Sequence, residues 1–542
     1  MTLPELSERT LLRAYRRALE ATPDAIAHID PDGEWTFEQS FTRSSRLAGG
    51  LAHLGVGRRH PVGLLLDNSV DNVHLWMGVA LSGAIEVPIS TAYKHRFLTH
   101  VLNDSGCELL VAEADLVERL LPIAKDLTRL RTVVVRGDLD AAAALRDRFA
   151  VVPWAELEAH GEADPVDVDP AELLAIMYTS GTTGASKGVM CSHAHAYTYA
   201  SQQDDPNHRP RQGDRVLLTL PMFHIGGQWA WVYRSLIHRS TCILERGFSV
   251  SNFWDVVRRR NITVTGLLGS MSELLWRQPP RPDDADNPLE IAILAPAPSD
   301  LDGFLERFGV QAMTGYGMSE IGQVTSGPVG SVIGNEGGFR RGIYQLRLVG
   351  DDGQDVADGL GGELWVKPDE PLTVTSGYLG LPEATAALID PEGWLHTGDV
   401  LRRDESGRYY FLDRVKDALR RRGENVSSFE VESVINAHPD IVESAVVAVH
   451  SELTEDEIRA VVVLREGAVF DPIGITGYLV ERLPYFMVPR YLETAAELPK
   501  TPSQKVRKAQ LRDAGLAADT WDREAAGIKL GSGRTRVRGG HV

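Results

Sequence analysis

Leu173-Leu174-Ala175-Ile176-Met177 is an unbroken apolar run that passes straight into hydroxyls and glycines, the pattern of a buried strand emptying into a loop. Upstream of it, helical and strand patterns alternate. Thr36 and Gln39 have the spacing of a capping box that opens a helix toward Leu54, and Gly55 is placed to close it. Pro61 to Leu66 reads as a buried strand and Asp71 to Leu81 as the next helix. A second alternating set runs from Asp214 through Gly315. Such alternation predicts an α/β fold built of layered subdomains.

From Gly337 to Tyr410 the texture changes to short strands broken by turns such as Asp351-Asp352-Gly353 and Asp358-Gly359, which predicts a small β-rich subdomain. The chain then restarts as a compact α+β unit. Ser427 and Glu430 cap a helix to Ala437, Ile441 to His450 and Ile458 to Leu464 read as strands, and Ile473 to Leu483 reads as a helix. The Gly- and Arg-rich tail from Gly531 to Gly540 has no apolar periodicity and reads as disordered. At 542 residues, two or more domains are expected.

Composition narrows the function classes. A formal charge of −19 argues against a broad nucleic-acid surface, so any nucleotide site must be a local positive pocket. No apolar run approaches the length of a membrane span, and Met1-Thr2-Leu3-Pro4-Glu5 lacks a signal pattern, so a cytoplasmic protein is expected. Cys107, Cys191 and Cys242 are too scattered for a disulfide framework or a zinc site and read as reduced, buried thiols.

The loop after Met177 holds the most chemistry. Tyr178 to Val189 carries Thr179, Ser180, Gly181, Thr182, Thr183, Gly184, Ser186 and Lys187, so backbone N–H groups, rotatable hydroxyls and one mobile ammonium can converge on phosphates. Its spacing fits neither a P-loop nor the dinucleotide fingerprint. The extended pattern of Val189 to His193 argues against a site on a helix dipole at that point.

This loop resembles the phosphate signature of the adenylate-forming superfamily. Five further stretches occur in that family's order: Pro221 to Gly227, Thr314 to Glu320, Trp394 to Asp399, Asp413 to Asp417, and Pro499 to Lys505. The resemblance spans Leu11 to Arg512 and is strongest to crotonobetaine/carnitine-CoA-ligase-like acyl-CoA ligases, through Gly423 to Glu432 and Gln278-Pro279-Pro280. It implies a large N-terminal AMP-binding domain (1–415), a smaller mobile C-terminal domain (416–512) and a tail (513–542).

The resemblance also implies roles. Thr179 to Lys187 would hold the β- and γ-phosphates. Glu320 offers a hard oxygen suited to Mg²⁺, with Ser319 beside it for a phosphate or a metal-bound water. Tyr316 would stack on adenine, Asp399 and Arg414 would meet the ribose, and Ala295 to Pro298 would line the adenine pocket. Lys505 would bridge the carboxylate and the α-phosphate, although Gln504 stands where relatives have glycine. Lys416 would be the hinge and His224 the gate of the acid site. Lys500 reads as a solvated lysine, and Arg422 stands beside the expected pantetheine path, where several relatives have glycine.

The implied activity is ATP- and Mg²⁺-dependent formation of an acyl-adenylate, followed by transfer to coenzyme A. Other acceptors, a carrier-protein thiol or an amine, stay open, as do an unusual acid such as nitrite and a non-catalytic sensor. The oligomeric state is also open, a homodimer among the options. Acid-pocket segments would be His224 to Trp229, Leu268 to Ser272 and Met313 to Gln323, whose residues suggest a largely apolar pocket without a basic group.

Overall fold

The computed structural model describes residues 3–179, 186–202, 208–330, 336–350, 352–414, 419–421, 424–426, 428–450, 456–483, 485, 487–501, 506–530 and 536–537. By contacts the chain divides into two units. One comprises residues 1–298, 302–345 and 366–395, and the other residues 299–301, 346–365 and 396–542.

The first unit holds two seven-stranded, mostly parallel sheets. One runs in the spatial order Ala150–Pro153, Thr132–Arg136, Leu109–Glu113, Pro61–Leu65, Ile85–Pro88, Leu173–Thr179 and Lys187–Ser192, with only the last pair antiparallel. The other runs Gln311–Met313, Ile291–Ala295, Val264–Leu268, Arg215–Leu218, Thr241–Leu244, Ile26–Asp30 and Gly33–Thr36. Parallel strands are covered on both faces, so they are apolar almost throughout, as in the buried Val133-Val134-Val135.

The expected capping box is present: Thr36 Oγ1 accepts from Gln39 N at 3.1 Å and Gln39 Oε1 from Thr36 N at 2.9 Å, opening the helix Phe37–His53. Gly55 follows at φ +84°, the left-handed conformation that ends a helix most easily at glycine. Ser69 caps the helix Val70–Leu81, which is buried on every face except at Asp71. Lys187–Ser192 is a strand, as its pattern predicts, and Ser192 then caps the helix His193–Ser201.

In the second unit, the helix Ser428–Asn436 and the strands Ile441–His450 and Asp456–Leu464 lie where the pattern puts them. The next helix runs Pro472–Val480: Asp471 caps it and Pro472 occupies its first position, one residue before the expected start, and it ends three residues before the expected Leu483. Tyr491–Thr494 and Trp521–Asp522 complete a four-stranded sheet over a core that includes Val431, Ile435, Val446, Ile458 and Leu479. The chain thus stays ordered past Arg512. Arg523 is fully buried, and its Nη1 donates to the Ile528 carbonyl at 2.6 Å. Arg536–Val537, inside the tail whose composition predicts no regular structure, pairs antiparallel with Ile528–Lys529.

Candidate active site

Sheet order places the site. From Arg215–Leu218 the chain moves to Thr241–Leu244 on one side, then crosses to Val264–Leu268 on the other. A crevice therefore opens at the carboxyl ends of Arg215–Leu218 and Val264–Leu268, where ligands of open α/β sheets bind. The segments leaving these strands and their neighbours are 219–224, 269–272, 295–298 and 314–320, which hold most of the sequence-predicted residues of this unit. They touch: a Cβ on Gly269 would lie 2.8 Å from Pro296 Cγ. Asn68 ties the first segment down, donating to the Leu220 carbonyl and accepting from Met222 N, both at 2.9 Å. At the corresponding crevice of the other sheet, Arg136 is bound to Asp71 and Glu113.

The phosphate loop is closed at its base by the register pair Thr179 and Lys187. Ser180, Gly181, Thr182, Thr183 and Gly184 lie outside the described residues. The Lys187 ammonium sits 4.6 Å from the centre of the Tyr378 ring. The Tyr378 hydroxyl donates to Glu320 Oε1 at 2.9 Å. Burial, then the Glu320 charge, pushes the Tyr378 phenol well above its usual range, so it remains a donor. The Glu320 backbone carbonyl accepts from Thr375 N at 2.8 Å, and Leu379 N donates to the Gly188 carbonyl at 2.8 Å. Thus one segment, 375–379, docks on both the loop's exit strand and the carboxylate. Sequence reasoning missed Tyr378. The available signal was Gly377-Tyr378, a glycine at φ +114° where a Cβ would lie 2.3 Å from Thr385 Cγ2.

Tyr316 lies on a hairpin of Gly315–Met318 with Gly322–Ser326 and is half-buried. Its flanking glycines are accounted for by the hairpin itself: a Cβ on Gly317 would lie 2.3 Å from the Gly322 carbonyl oxygen, and one on Gly315 2.8 Å from that of Thr325. Ser319 and Glu320 follow, both buried. His224 caps the short helix Ile225–Gly227, its Nδ1 accepting from Gly226 N at 3.1 Å, which fixes the ring orientation. The next turn, Gln228–Tyr233, is a π-helix, a form that occurs disproportionately at functional sites.

In the second unit, Asp399 and Arg414 face each other in register on Leu395–Arg403 and Arg408–Arg414, and Arg414 Nε lies 3.2 Å from Asp399 Oδ1. Gly398 takes φ +70° and donates its N–H to Glu363 Oε1 at 2.9 Å, turning the strand at the carboxylate. Asp413 Oδ2 accepts from Ser428 N at 2.7 Å, anchoring the next helix. Lys500, expected to be solvated, is ion-paired to Glu443 at 2.7 Å because that carboxylate projects from the neighbouring strand. A bridge between Lys500 and Val506 closes the loop that carries Lys505. Lys416, Arg422, Gln504 and Lys505 lie outside the described residues.

Among the described residues no cluster of three or more His, Cys, Asp or Glu could hold a metal. A buried carboxylate such as Glu320 suits Mg²⁺, which commonly takes one or two protein carboxylates together with substrate phosphates. No helix among the described residues is long and apolar enough to cross a membrane.

Comparison with known proteins identifies the family and the fold. The AMP-binding enzyme family matches residues 15–379, and the AMP-binding enzyme C-terminal domain matches residues 430–505. A crotonobetaine/carnitine–CoA ligase from Salmonella typhi is 31% identical over 484 residues, covering 86% of this chain and 91% of its own. The O-succinylbenzoate coenzyme A synthetase of Bacillus subtilis, solved in complex with AMP, superposes with a TM-score of 0.79 at 26% identity, over 93% of this chain and 98% of its own. A benzoate CoA ligase from Burkholderia xenovorans shares the fold, with a TM-score of 0.82 at 22% identity over 93% and 99% of the two chains.

Proposed function

This chain belongs to the AMP-binding enzyme family, and on that premise we propose which of its residues carry out the two half-reactions. It is an acid–thiol ligase that uses ATP and Mg²⁺ to convert a carboxylic acid to an acyl-adenylate, then transfers the acyl group to coenzyme A.

The observation that carries the residue assignment is the Lys187–Tyr378–Glu320 arrangement. In the first step a carboxylate oxygen attacks the α-phosphorus, the bond to pyrophosphate breaks, and negative charge must be offset at both ends. Lys187 and the loop from Thr179 neutralise the leaving pyrophosphate. Glu320 would hold Mg²⁺, which would supply Lewis-acid neutralisation of the phosphate oxygens, and Ser319 would bond a phosphate or a metal-bound water. Tyr378 keeps the cation and the carboxylate in fixed relation, its ring under one and its hydroxyl on the other.

Tyr316 stacks on the adenine, and Asp399 accepts the ribose hydroxyls with Arg414 beside it. Lys505 bridges the attacking carboxylate and the α-phosphate, a task that suits a compact charge on a long stem. His224 gates the acid site. Lys416 is the hinge at which residues 416–512 turn between half-reactions, and Arg422 meets a CoA phosphate. ATP and CoA supply place the enzyme in the cytoplasm.

The test is isotope exchange. Purified protein with Mg²⁺ and a broad acid panel, nitrite included, should exchange labelled pyrophosphate into ATP without CoA, and mass spectrometry should then find the acyl-CoA. Absence of exchange throughout the panel would refute the assignment. Exchange without any CoA thioester would reassign the acceptor.

A further inference from the structure

Two side chains of one helix hold the two ends of the phosphate loop. The helix His95–Asp104 buries Leu98, Val101 and Leu102 in the core of the sheet that bears the loop. His100 and Asp104 stand one helical turn apart, so they share a different face of that helix. His100 Nε2 donates to the Ser186 carbonyl at 2.7 Å, and the Tyr178 hydroxyl donates to Asp104 Oδ2 at 2.6 Å. Tyr178 is the last residue but one of the strand that enters the loop, and Ser186 immediately precedes the strand that leaves it. The His100 and Tyr178 rings also meet edge-on, their centres 6.0 Å apart.

The hairpin is shaped for this grip. Tyr178 is paired in register with Gly188, where a Cβ would lie 3.2 Å from Tyr178 Cζ, so glycine clears the path of the phenol ring across the hairpin. Burial, then the bond to Asp104, pushes the Tyr178 phenol well above its usual range, and the hydroxyl keeps its proton. A carbonyl oxygen can only accept, which puts a proton on His100 Nε2. The peptide unit is planar, so orienting the Ser186 carbonyl also orients the backbone N–H of Lys187, the residue assigned to the leaving pyrophosphate.

We propose that His100 is a positioning residue for adenylation: it holds the Ser186–Lys187 peptide and, with Asp104 on Tyr178, fixes both ends of the phosphate loop to the helix His95–Asp104. The inference rests on the ligase reading above and deepens it by naming what sets the loop for the β- and γ-phosphates. A glycine-rich segment gives up more conformational freedom than most when it closes on a ligand, and holding its ends beforehand reduces that cost. The clamp is within reach of water. A cavity of about 770 Å³ lies beside it, lined by Thr99, Asn103, Ile123 and Asp126 together with His100 and Asp104. Water can therefore take the place of a deleted imidazole, and the loss falls on placement more than on stability.

The experiment compares His100→Leu and His100→Gln in pyrophosphate exchange with the best acid of a broad panel, in conversion of synthetic acyl-adenylate to acyl-CoA, and in thermal unfolding. His100→Leu should raise the KM for ATP by about tenfold, the upper range of one net hydrogen bond, while the KM for the acid and the thioester step stay within about twofold of wild type. His100→Gln puts an amide N–H where the imidazole donor was and should return the KM for ATP to within about twofold of wild type. Tyr178→Phe keeps the ring and should raise the KM for ATP by about threefold; it serves if His100→Leu lowers the melting temperature. An unchanged KM for ATP in both His100→Leu and Tyr178→Phe, a His100→Gln defect equal to that of His100→Leu, or equal losses in the two half-reactions overturns the proposal. Failure of the wild type to exchange with any acid refutes the ligase reading instead, and this inference with it.

Discussion

The Tyr378 hydroxyl donates to Glu320 Oε1 at 2.9 Å while the Tyr378 ring lies 4.6 Å beneath the Lys187 ammonium. One side chain thereby sets the separation of the two charges assigned to the phosphates and the metal. Tyr378→Phe keeps the ring and deletes the donor. Hydrogen bonds to charged groups contribute about 1.5–3 kcal/mol, so adenylation should fall by roughly 10- to 100-fold. Exchange assays at graded Mg²⁺ should show a raised half-saturation for the metal. An unchanged Mg²⁺ dependence would separate Tyr378 from the metal site.

The two lysines of the C-terminal region should dissociate the half-reactions. Lys505→Ala should slow adenylation by about 10²-fold or more, the scale of losing one charge stabiliser in the transition state. It should still convert synthetic acyl-adenylate to thioester. Lys416→Pro, which fixes φ, should spare pyrophosphate exchange and stall thioester formation. Exchanged phenotypes would reverse the roles.

Asp399 and Arg414 form a pair that the ribose is expected to complete. Asp399→Asn should raise the KM for ATP by roughly tenfold, about what one charged hydrogen bond contributes. With a deoxyribose analogue of ATP the same substitution should have little effect. Equal losses with both nucleotides would move Asp399 off the sugar.

Gly317→Ala places a Cβ 2.3 Å from the Gly322 carbonyl and 2.8 Å from Gln323 Cα, so the hairpin must open. Overpacking of this kind costs about 1–3 kcal/mol. Denaturant titration should show that loss, and adenylation should fall further than stability because Tyr316 and Glu320 flank the distortion.

Stability should decline on both sides of neutrality. Burial holds His28 down at about 3, far below the unfolded value, so the stability it contributes is present above the ordinary histidine range and is lost as pH falls toward 3. Glu86 titrates at about 8 in the fold, so its contribution is complete at acid pH and is lost as pH rises through 8. Glu86→Gln should remove the limb that falls from the ordinary carboxylate range up to about 8 in chemical unfolding measured from about pH 5 to 9. Persistence of that limb would assign it to another group.

Much of the site was legible because its chemistry is contiguous. The phosphate loop, the Tyr316 hairpin and the Asp399 turn each put several informative residues within a few positions. Tyr378 was not, since its role arises from contacts with Lys187 and Glu320, both far away along the chain, and it sits in a segment with no cluster of its own. The glycines beside Tyr316 are demanded by the paired strand opposite, a contact that the local sequence does not show. The crevice between Arg215–Leu218 and Val264–Leu268 depends on strand order, which no local periodicity encodes. Layered α/β elements, by contrast, were readable from apolar runs and caps alone.

Cys107, Cys191 and Cys242 are all completely buried, and burial pushes the Cys107 and Cys242 thiols up to about 12. Neither accessibility nor thiolate chemistry lets an alkylating reagent reach them in the native fold. Labelling can proceed only through opening, and the cysteines are distributed usefully: Cys191 belongs to the sheet that bears the phosphate loop and Cys242 to the sheet that bears the acid crevice. Alkylation followed separately at Cys191 and Cys242 by peptide mass mapping would therefore report the opening free energies of the two sheets, without any introduced probe, and would show whether nucleotide protects one half of the unit before the other.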